Sequence, residues 1–437
     1  YTSRVENDYT SLPEIPRSHW RDVELTYANG LITGKTGLEE TYNERLRGQH
    51  GSKMYEMNAR GQLFKPFSFL QPSKGADLYT HLDIDAQKSA AQFLGNRKGA
   101  VVAIDLQSGG VNVLYSAPTF SINKLSNGMS DQEFQLLIKN AEKPFFNRAL
   151  QGRYPPASTI KPAIGMFGLA NDIVDWEYQI KDPGFFTLPE TGRIYRGWRK
   201  GGHGKVNMRK AILVSSNTYF FSLAYQSNIN QLAQHLSSLG FGTKICSDCF
   251  EEDKVFVPTP GWKYSMMNAG WVTGDTVNLG IGQGYLVTTP MQLANYASIL
   301  ANKGKAIEPS LVVAGNQKKP FRTWKNEGFA NLDWEKMHEA LTGVIESDFG
   351  TARSIRSLKT FQVAGKSGTA ELVSLDSKEA YQEVRNSELL RDHSIIIAFG
   401  PMPNPKYAVS VVIENGESGG AVAGPVAIEV LKSLIDE

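Results

Sequence analysis

The sequence is poor in cysteine, in long apolar runs and in charge of one sign. Two cysteines in 437 residues are too few for a disulfide-stapled scaffold. No apolar run reaches the roughly 18 residues of a membrane-spanning helix, and the stretch from Ser394 to Phe399 is typical in being strand-sized. The 46 basic and 44 acidic side chains leave a formal charge of +2, which gives no electrostatic reason to expect nucleic acid as the main partner.

The overall composition is that of an ordinary globular protein. A hydrophobic content of 41% excludes a disordered, collagen-like or coiled-coil chain. The chain starts at Tyr1 without an initiator Met or a signal peptide, so we expect a fragment of a longer protein. Domains typically contain roughly 150 residues, so a chain of this length allows two or three domains. We predict two of unequal size, because residues 1–75 are polar and irregular whereas residues 76–437 are densely patterned.

Strand and helix patterns in the larger domain predict an α+β fold. Two β-rich runs around Gly109-Gly110 predict a hairpin, and three more strand-like runs stand near the end of the chain. Between them, from about Asn147 to Asn302, the pattern is mostly helical. The economical arrangement is an α/β/α sandwich with a five-stranded, mainly antiparallel sheet and a large helical insert. The predicted strands are Ala100 to Asp105, Val111 to Ser116, Gln362 to Val373, His393 to Gly400 and Tyr407 to Glu414.

Two helices are predicted to cover one face of this sheet. The first runs from about Ile84 to Leu94, and the second, from Pro425 to Ile435, begins with a helix-starting proline. The insert would then cover the opposite face. A further helix is predicted in the N-terminal domain, from Leu38 to Leu46.

The strongest local signal is a serine followed three residues later by a lysine, Ser158 and Lys161. Pro155 and Pro156 favour an extended approach, and Pro162 is compatible only with the first turn of a helix. Ser158 is therefore expected at a helix N-terminus with Lys161 on the same face. The helix dipole would favour negative charge on the serine oxygen and a neutral lysine, as a serine nucleophile and its base require. A capping serine beside an exposed lysine is the alternative.

Two further polar motifs stand later in the chain. Ser215, Ser216 and Asn217 occupy a predicted turn between helical segments, where a hydroxyl could relay a proton and an amide could bind a peptide group. An N-capping serine explains this triplet equally well. The third motif, Lys366-Ser367-Gly368-Thr369, lies on a predicted strand, and a glycine inside a strand often marks the close approach of a ligand. Its lysine would supply positive charge for a substrate carboxylate.

Two stretches repeat these patterns in a different context. Ser121 and Lys124 have the spacing of the first motif, but they follow a strand and run into Gly128, so we expect a loop. Lys35-Thr36-Gly37 matches a Lys-Thr-Gly pattern literally, yet it precedes a polar helix in the N-terminal domain. We therefore assign Lys35 a structural role.

The order of the three motifs, each on a suitable element, resembles the penicillin-recognising serine acyltransferases, which include penicillin-binding proteins and serine β-lactamases. Further stretches are similar to class B penicillin-binding proteins, and most of all to their elongation-type group, penicillin-binding protein 2. This resemblance implies a penicillin-binding transpeptidase domain over 76–437 and a truncated, non-catalytic pedestal of the dimerisation type over 1–75. The similar stretches are Gly34 to Glu39, Gly197 to Gly204, Gly274 to Leu286, Thr288 to Gln292, Ala301 to Gly304 and Arg391 to His393.

The resemblance implies a peptidoglycan D,D-transpeptidase that cross-links stem peptides during cell elongation. Ser158 would attack the D-alanyl-D-alanine carbonyl after Lys161 takes its proton. Ser215 and Asn217 would relay the proton and hold the peptide. The backbone N–H groups of Ser158 and Thr369 would form the oxyanion hole. The terminal carboxylate, or that of an inhibitory β-lactam antibiotic, would bind to Lys366, Ser367, Gly368 and Thr369.

The same resemblance implies a location and partners. We expect a single N-terminal inner-membrane anchor, removed here, and a catalytic domain in the periplasm. Expected partners are stem peptides, β-lactams, a membrane-embedded glycosyltransferase and other proteins of the elongation complex, but no nucleic acid. In an oxidising periplasm, Cys246 and Cys249 are expected to form a small-loop disulfide rather than half of a metal site.

Some members of this family carry a zinc ion behind the second motif. In this chain Asp182 and His203 offer zinc-ligand chemistry, whereas Gly197 and Ser216 do not. Two ligands fall short of the usual four. We therefore expect no metal and no cofactor, and we predict that His203 is a loop residue.

Two other functions stay open at this point. A serine D,D-carboxypeptidase or β-lactamase would share the three motifs, but no motif places the second carboxylate base that fast hydrolysis requires, and a pedestal has no purpose in a small secreted hydrolase. A non-catalytic β-lactam-binding sensor would keep Ser158, Lys161 and Lys366, and would be distinguished by linked signalling segments.

Overall fold

The structure is a computed structural model that describes residues 2–4, 32–49, 51–58, 60, 62–246, 248–313, 329, 332–372 and 388–436. Its N-terminal region contains two antiparallel strand pairs, with short helices between them. The boundary predicted at residue 75 stays a prediction. The elements of this region are β1 (Thr2–Arg4), β2 (Ile32–Gly34), α1 (Gly37–Thr41), α2 (Asn43–Arg47), β3 (Ser52–Met57) and β4 (Leu63–Leu70).

The single helix predicted from Leu38 to Leu46 is interrupted. Tyr42, with φ −106° and ψ 22°, separates α1 from α2. The next residue is held by a contact outside the helix, because Asn43 Oδ1 accepts hydrogen bonds from Thr33 Oγ1 and from the backbone N–H of Gly34, each at 3.0 Å. A tertiary contact therefore overrides the local helical pattern here.

The first helix and hairpin of the larger domain lie where the sequence predicts them. The helix α3 (Ile84–Leu94) is capped by Asp83, whose Oδ1 accepts from the backbone N–H groups of Asp85 and Ala86 at 3.0 and 2.8 Å. The strands β5 (Gly99–Asp105) and β6 (Val111–Ala117) follow and pair antiparallel. Nearly every position of β5 is buried, which explains why its sequence is continuously apolar rather than alternating.

The predicted helical insert is present, but it also contains four short strands. The strand β7 (Ile180–Asp182) pairs with β10 (Gly204–Val206), and β8 (Phe185–Thr187) pairs with β9 (Ile194–Arg196). Runs of three residues are too short to show a strand period in sequence. The helices between residues 122 and 301 are α4 (Ile122–Asn127), α5 (Asp131–Lys139), α6 (Arg148–Gln151), a 3₁₀ turn (Ala157–Ile160), α7 (Lys161–Ala170), α8 (Met208–Leu213), α9 (Asn217–Tyr225), α10 (Ile229–Ser238), α11 (Pro260–Met267), α12 (Thr273–Leu279) and α13 (Pro290–Ala301).

The C-terminal segments complete the central sheet. Its described strands run in the order β11-β12-β13-β5-β6, and all neighbouring strands are antiparallel. The predicted strand from Gln362 to Val373 is shorter than expected, and Val373 lies outside the described residues. The elements here are α14 (Trp334–Glu346), 3₁₀ turns Arg353–Leu358 and Glu388–Leu390, β11 (Ala364–Ala370), β12 (His393–Gly400), β13 (Tyr407–Ile413), a π turn (Gly419–Ala423) and α15 (Gly424–Ile435).

Helices cover both faces of the sheet, as predicted. The first and last helices of this domain, α3 and α15, pack together and against β6 and β13. On the opposite face α13 packs along β5 and β13, and each of its twelve residues is buried. The predicted α/β/α sandwich with a five-stranded antiparallel sheet is therefore confirmed. None of the described helices combines the length and the apolar character that crossing a bilayer requires.

The prediction of a loop at Ser121 to Lys124 is wrong. Ser121 caps α4, because its Oγ accepts from the backbone N–H of Lys124 at 3.2 Å. The Lys124 ammonium then forms an ion pair with Glu133 of α5. The glycine that suggested a loop, Gly128, lies just after the helix and has φ 118°, so it ends the helix rather than preventing it.

A buried ion pair links the insert to the sheet. The side chain of Arg148 donates from Nε to Glu414 Oε1 at 2.8 Å, just beyond the end of β13. Its Nη atoms donate to the backbone carbonyls of Glu142 and Lys143. The hydroxyl of Tyr154 donates to the same Glu414 oxygen at 2.9 Å. One carboxylate thus fixes both α6 and the segment leading to the first motif.

Replacing Glu414 by Ala would leave the Arg148 guanidinium buried without its counter-charge. We expect the free energy of unfolding to fall by about 3 kcal/mol, because removing one partner of a buried pair is strongly destabilising. Urea denaturation measures this change. The control is Lys88→Ala, which removes an exposed pair with Asp85 and should cost less than about 1 kcal/mol. Equal losses in the two variants would contradict this role.

Candidate active site

The first motif lies where an extended segment turns into a helix. The 3₁₀ turn Ala157–Ile160 continues directly into α7, with Pro162 in its first turn as predicted. Ala157 has φ 49°, in the left-handed region, and its backbone N–H donates to Gly282 O at 2.9 Å. A side chain at Gly282 would lie 2.2 Å from Ala157 O, so only glycine fits there. This close contact holds the strained residue that precedes Ser158.

The lysine of the first motif is buried and fully engaged. Lys161 Nζ donates to Asn217 Oδ1 at 2.6 Å and to Ser215 O at 2.9 Å, and it lies 3.1 Å from Ser215 Oγ. Its side chain has no exposed surface, whereas Ser158, one turn earlier, is half-buried. A neutral amine satisfies both acceptors with its two N–H groups and retains a lone pair for a hydroxyl proton.

The lysine of the third motif reaches the same serine. Lys366 Nζ donates to Ser215 Oγ at 3.0 Å and to Ser367 O at 3.0 Å, and it too is fully buried. The Ser215 hydroxyl therefore lies between two lysine nitrogens. Because each N···O contact is a hydrogen bond, this hydroxyl can accept from one nitrogen while it donates to the other.

Burial makes both lysines easy to deprotonate. Desolvation lowers the pKa of Lys366 to about 7. Desolvation also holds the pKa of Lys161 well below its usual value, and the nearby charge of Lys366 lowers it further, while the Asp182 carboxylate acts in the opposite direction. Lys161 thus loses its proton more easily than an exposed lysine does, and this favours a role as a general base.

The turn of the second motif has an unusual backbone. Ser215 has φ 54°, which directs its carbonyl and its hydroxyl toward Lys161. The next residue, Ser216, caps α9 by accepting from the backbone N–H of Tyr219 at 3.2 Å. The capping alternative therefore describes Ser216, whereas Ser215 and Asn217 contact the lysine.

The third motif lies on β11, the edge strand of the sheet. A Cβ at Gly368 would lie 3.1 to 3.3 Å from Thr159 Cγ2, Pro156 O and Ala157 Cβ, so the strand is pressed against the turn that carries Ser158. The carbonyl of Thr369 accepts from Gln283 Nε2 at 3.5 Å, on the side away from β12. In an antiparallel strand, the N–H and C=O of one residue point the same way, so the Thr369 N–H also faces outward.

The structure thus brings together the three predicted motifs. Lys161 contacts Ser215 and Asn217, Lys366 contacts the same Ser215, and Gly368 packs beside the turn of Ser158. Ser367 Oγ lies 2.8 Å from Thr351 Oγ1, a contact that the sequence did not indicate. Lys35 is exposed.

The comparisons with known proteins agree with this geometry. A family model described as penicillin binding protein transpeptidase domain matches residues 99–432, and another described as penicillin-binding protein dimerisation domain matches residues 11–80. The chain belongs to the penicillin-binding protein transpeptidases. The family inferred from the motifs is therefore confirmed.

Relatives in this family are peptidoglycan D,D-transpeptidases named MrdA. The Acinetobacter baumannii protein is 40% identical over 404 residues, which cover 91% of this chain and 60% of that protein. The Escherichia coli K12 protein is 34% identical over 402 residues, which cover 91% of this chain and 64% of that protein. The chain thus spans less than two thirds of the length of these relatives.

Solved structures of penicillin-binding protein 2 superimpose well. The Pseudomonas aeruginosa PBP2 in complex with WCK 5153 is 32% identical, with a TM-score of 0.80 over 100% of this chain and 88% of that chain. The Helicobacter pylori PBP2 in complex with MreC is 30% identical, with a TM-score of 0.81 over 93% of this chain and 72% of that chain.

The zinc ion found in some penicillin-binding proteins of this type does not fit the residues behind the second motif. Both oxygens of Asp182 are engaged, since Oδ2 accepts from Ser216 Oγ at 2.7 Å and Oδ1 accepts from the Gly184 N–H at 2.8 Å. His203 lies in the loop before β10, as predicted, with its ring 5.3 Å from that of Trp198. Ser216 and Gly197, which lie near Asp182, offer none of the usual zinc ligands, so two of the usual four ligands are lacking.

Among the described residues, Cys246, Asp248 and Cys249 form the one group with metal-ligand spacing. The two cysteines are joined in a disulfide, as the sequence predicted. The carboxylate of Asp248 accepts from the backbone N–H groups of Leu311 and Val312 at 2.7 and 2.8 Å. These contacts give the group a structural role, because they connect the disulfide loop to the strand-like segment near residue 311.

Sequence reasoning missed three residues that touch the motifs of this penicillin-binding domain. Asp182 was considered only as a metal ligand, yet it binds Ser216. Trp198 Nε1 donates to the carbonyls of Val214 and Ser215, both at 3.2 Å. Thr351 had no motif around it. Only Trp198 lay in a stretch that resembled the family, so sequence pattern offered no signal for the other contacts.

Proposed function

We propose that this chain is the catalytic portion of a peptidoglycan D,D-transpeptidase of the cell-elongation type. The observation that carries the proposal is the Ser215 hydroxyl held between Lys161 and Lys366, one helical turn from Ser158. This arrangement provides a nucleophile, a base, a proton relay and a buried cation in one cleft. The names of the relatives support the reaction, and the similarity to solved PBP2 structures supports assignment to the penicillin-binding protein 2 group, which the sequence resemblance identified as the elongation type.

Acylation is the first half of the proposed reaction. Lys161 takes the Ser158 proton as Oγ attacks the carbonyl of the penultimate D-alanine. The backbone N–H groups of Ser158 and Thr369 stabilise the oxyanion of the tetrahedral intermediate. The proton returns through the Ser215 hydroxyl to the amide nitrogen, the peptide bond breaks, and D-alanine leaves. An ester on Ser158 remains.

The second half transfers the acyl group to an acceptor. The amine of a neighbouring stem peptide attacks the ester carbonyl and gives up a proton to Lys161. The ester bond breaks, a new amide cross-links the two peptides, and the proton returns to Ser158 Oγ. Water in place of the amine would release a free carboxylate, which is the carboxypeptidase side reaction.

Recognition of the substrate depends on the third motif. The charged form of Lys366 attracts the terminal carboxylate, and the hydroxyls of Ser367 and Thr369 lie on the same strand. Gly368 keeps that strand against the nucleophile turn. A β-lactam presents a carboxylate and an acyl bond at similar positions, so we propose that it acylates Ser158 and inhibits the enzyme.

We also propose a periplasmic location at the inner membrane and partners from the elongation complex. The peptidoglycan substrate lies outside the cytoplasm, and the Cys246–Cys249 disulfide fits an oxidising compartment. Among the similar structures, one is a PBP2 bound to MreC and another belongs to a peptidoglycan synthase complex. By this likeness we expect a membrane-embedded glycosyltransferase as a partner.

The proposal predicts a covalent adduct on one serine. Ser158→Ala should abolish labelling by a fluorescent penicillin, because no other hydroxyl lies one turn before the buried lysine. Gel fluorescence and intact mass spectrometry measure the adduct. Ser121→Ala is the matched control, since Ser121 has the same spacing to a lysine but caps an exposed helix, and it should label normally. Persistent labelling of Ser158→Ala would refute the nucleophile.

The lysine pair predicts a bell-shaped pH profile for acylation. The acylation rate constant should fall at low pH, because Lys161 gains a proton. It should also fall above a pH of about 7, because Lys366 of the unliganded enzyme then loses the charge that attracts the carboxylate. Stopped-flow measurement of acylation across pH checks this. In Lys366→Arg the fall in rate at high pH should disappear from the measured pH range, because a guanidinium stays charged. An unchanged basic limb in that variant would contradict the role of Lys366.

A transferase and a hydrolase differ in turnover. We expect nitrocefin to be opened in a stoichiometric burst followed by very slow turnover, because no described carboxylate contacts the Ser158 turn as a second base. The burst amplitude, measured by absorbance against enzyme concentration, should be close to one equivalent. Sustained rapid turnover would favour a β-lactamase. A sensor would show the same burst but would not cross-link stem peptides.

A further inference from the structure

We infer that Asp182 is a positioning residue: its hydrogen bond to Ser216 holds the turn that carries Ser215 and Asn217 against Lys161. The inference rests on the proposed function for its assay. Ser216 Oγ donates to Asp182 Oδ2 at 2.7 Å, and the two residues are 0% and 2% exposed. Water cannot readily replace a bond at this depth, so its loss leaves a buried hydroxyl donor and one buried carboxylate oxygen unpaired.

The turn requires such an anchor. Ser215 adopts φ 54° without being a glycine, an unfavourable conformation that persists only where neighbours impose it. Ser216 lies between the two residues that bind Lys161, so one bond at this position constrains both. Asn217 Oδ1 and Ser215 O then lie 2.6 and 2.9 Å from Lys161 Nζ.

Asp182 is itself held firmly. It ends β7 and pairs across the strands with Gly204, and its Oδ1 accepts from the Gly184 N–H at 2.8 Å. From the same segment Trp198 Nε1 reaches the carbonyls of Val214 and Ser215. The segment from residue 180 to residue 206 therefore supports the catalytic turn at two independent points. Because both Asp182 oxygens accept hydrogen bonds, this support is direct and needs no metal ion.

The experiment compares Asp182 with a matched aspartate elsewhere. Asp248 is also buried, and it accepts from a serine hydroxyl, Ser310 Oγ at 3.1 Å, and from backbone N–H groups. We would prepare Asp182→Ala, Asp182→Asn, Ser216→Ala and the Asp182→Ala/Ser216→Ala pair, with Asp248→Ala and Ser310→Ala as controls. Each variant is tested for its melting temperature, its apparent affinity for a fluorescent penicillin and its acylation rate constant.

We expect Asp182→Ala and Ser216→Ala each to slow acylation by about 10- to 100-fold, with little change in the apparent affinity, because misplacement of a catalytic base by about 1 Å costs this much. The double variant should be no slower than the slower single variant, since both changes remove one bond. Asp182→Asn keeps a carbonyl acceptor and should recover most of the rate. The Asp248 and Ser310 controls should lose stability but acylate at rates within about two-fold of the parent.

Three results would overturn the inference. One is acylation of Asp182→Ala at the rate of the controls, and a second is an additive double variant. The third is a fall in the parent's rate on treatment with a zinc chelator that added zinc reverses, because a metal would then be the tether. Ser216→Ala removes the same bond from its other end, so it keeps the test valid if Asp182→Ala does not fold. A parent chain that is not labelled at all would instead refute the proposed function.

Discussion

Two buried lysine side chains share one hydroxyl in the interior, and the rest of the site is arranged around that constraint. Lys161 and Lys366 are both fully buried, and no described carboxylate lies within hydrogen-bonding distance of either nitrogen. Burying a charge without a counter-charge is costly, so at least one of them must be readily neutralised. In the proposed mechanism the neutral form of Lys161 is the base, and the charged form of Lys366 attracts the substrate carboxylate. Both lysines are buried together, and the charge of Lys366 further lowers the pKa of Lys161, so the two can carry different charges.

This constraint explains why three distant segments meet at one point. The serine turn must supply a carbonyl, a hydroxyl and an amide to a single nitrogen, which demands the left-handed backbone at Ser215. The edge strand must lie close enough for Lys366 to reach the same hydroxyl, and the tight space between Gly368 and the Ser158 turn favours a glycine at that position. The helix of Ser158 lies between them. The large apolar core formed by the sheet and α13 gives these segments fixed positions.

Local pattern predicted the regular elements well and the site contacts poorly. α3 and β12 have the predicted bounds, because long apolar periods determine them. The loop expected at Ser121 is a helix, since a capping hydroxyl outweighed the following glycine. The bond between Ser216 and Asp182 joins residues 34 apart, and that between Lys366 and Ser215 joins residues 151 apart. Such pairings follow from the tertiary fold, so the sequence showed the motif residues but not which of them bind one another, nor that Asp182 binds Ser216.

The outward-facing amide of Thr369 has a consequence for how the site tolerates change. The donor belongs to the main chain, so replacing the side chain at this position leaves it in place, and among the standard residues only proline would delete it. The same holds for the amide of Ser158. A substitution other than proline at either position can therefore change the side chain and the local shape of the site, but it leaves the backbone donor in place. Substitutions can therefore accumulate in the side chains that pack around Ser158 and Thr369 without removing the two N–H groups proposed for the oxyanion hole.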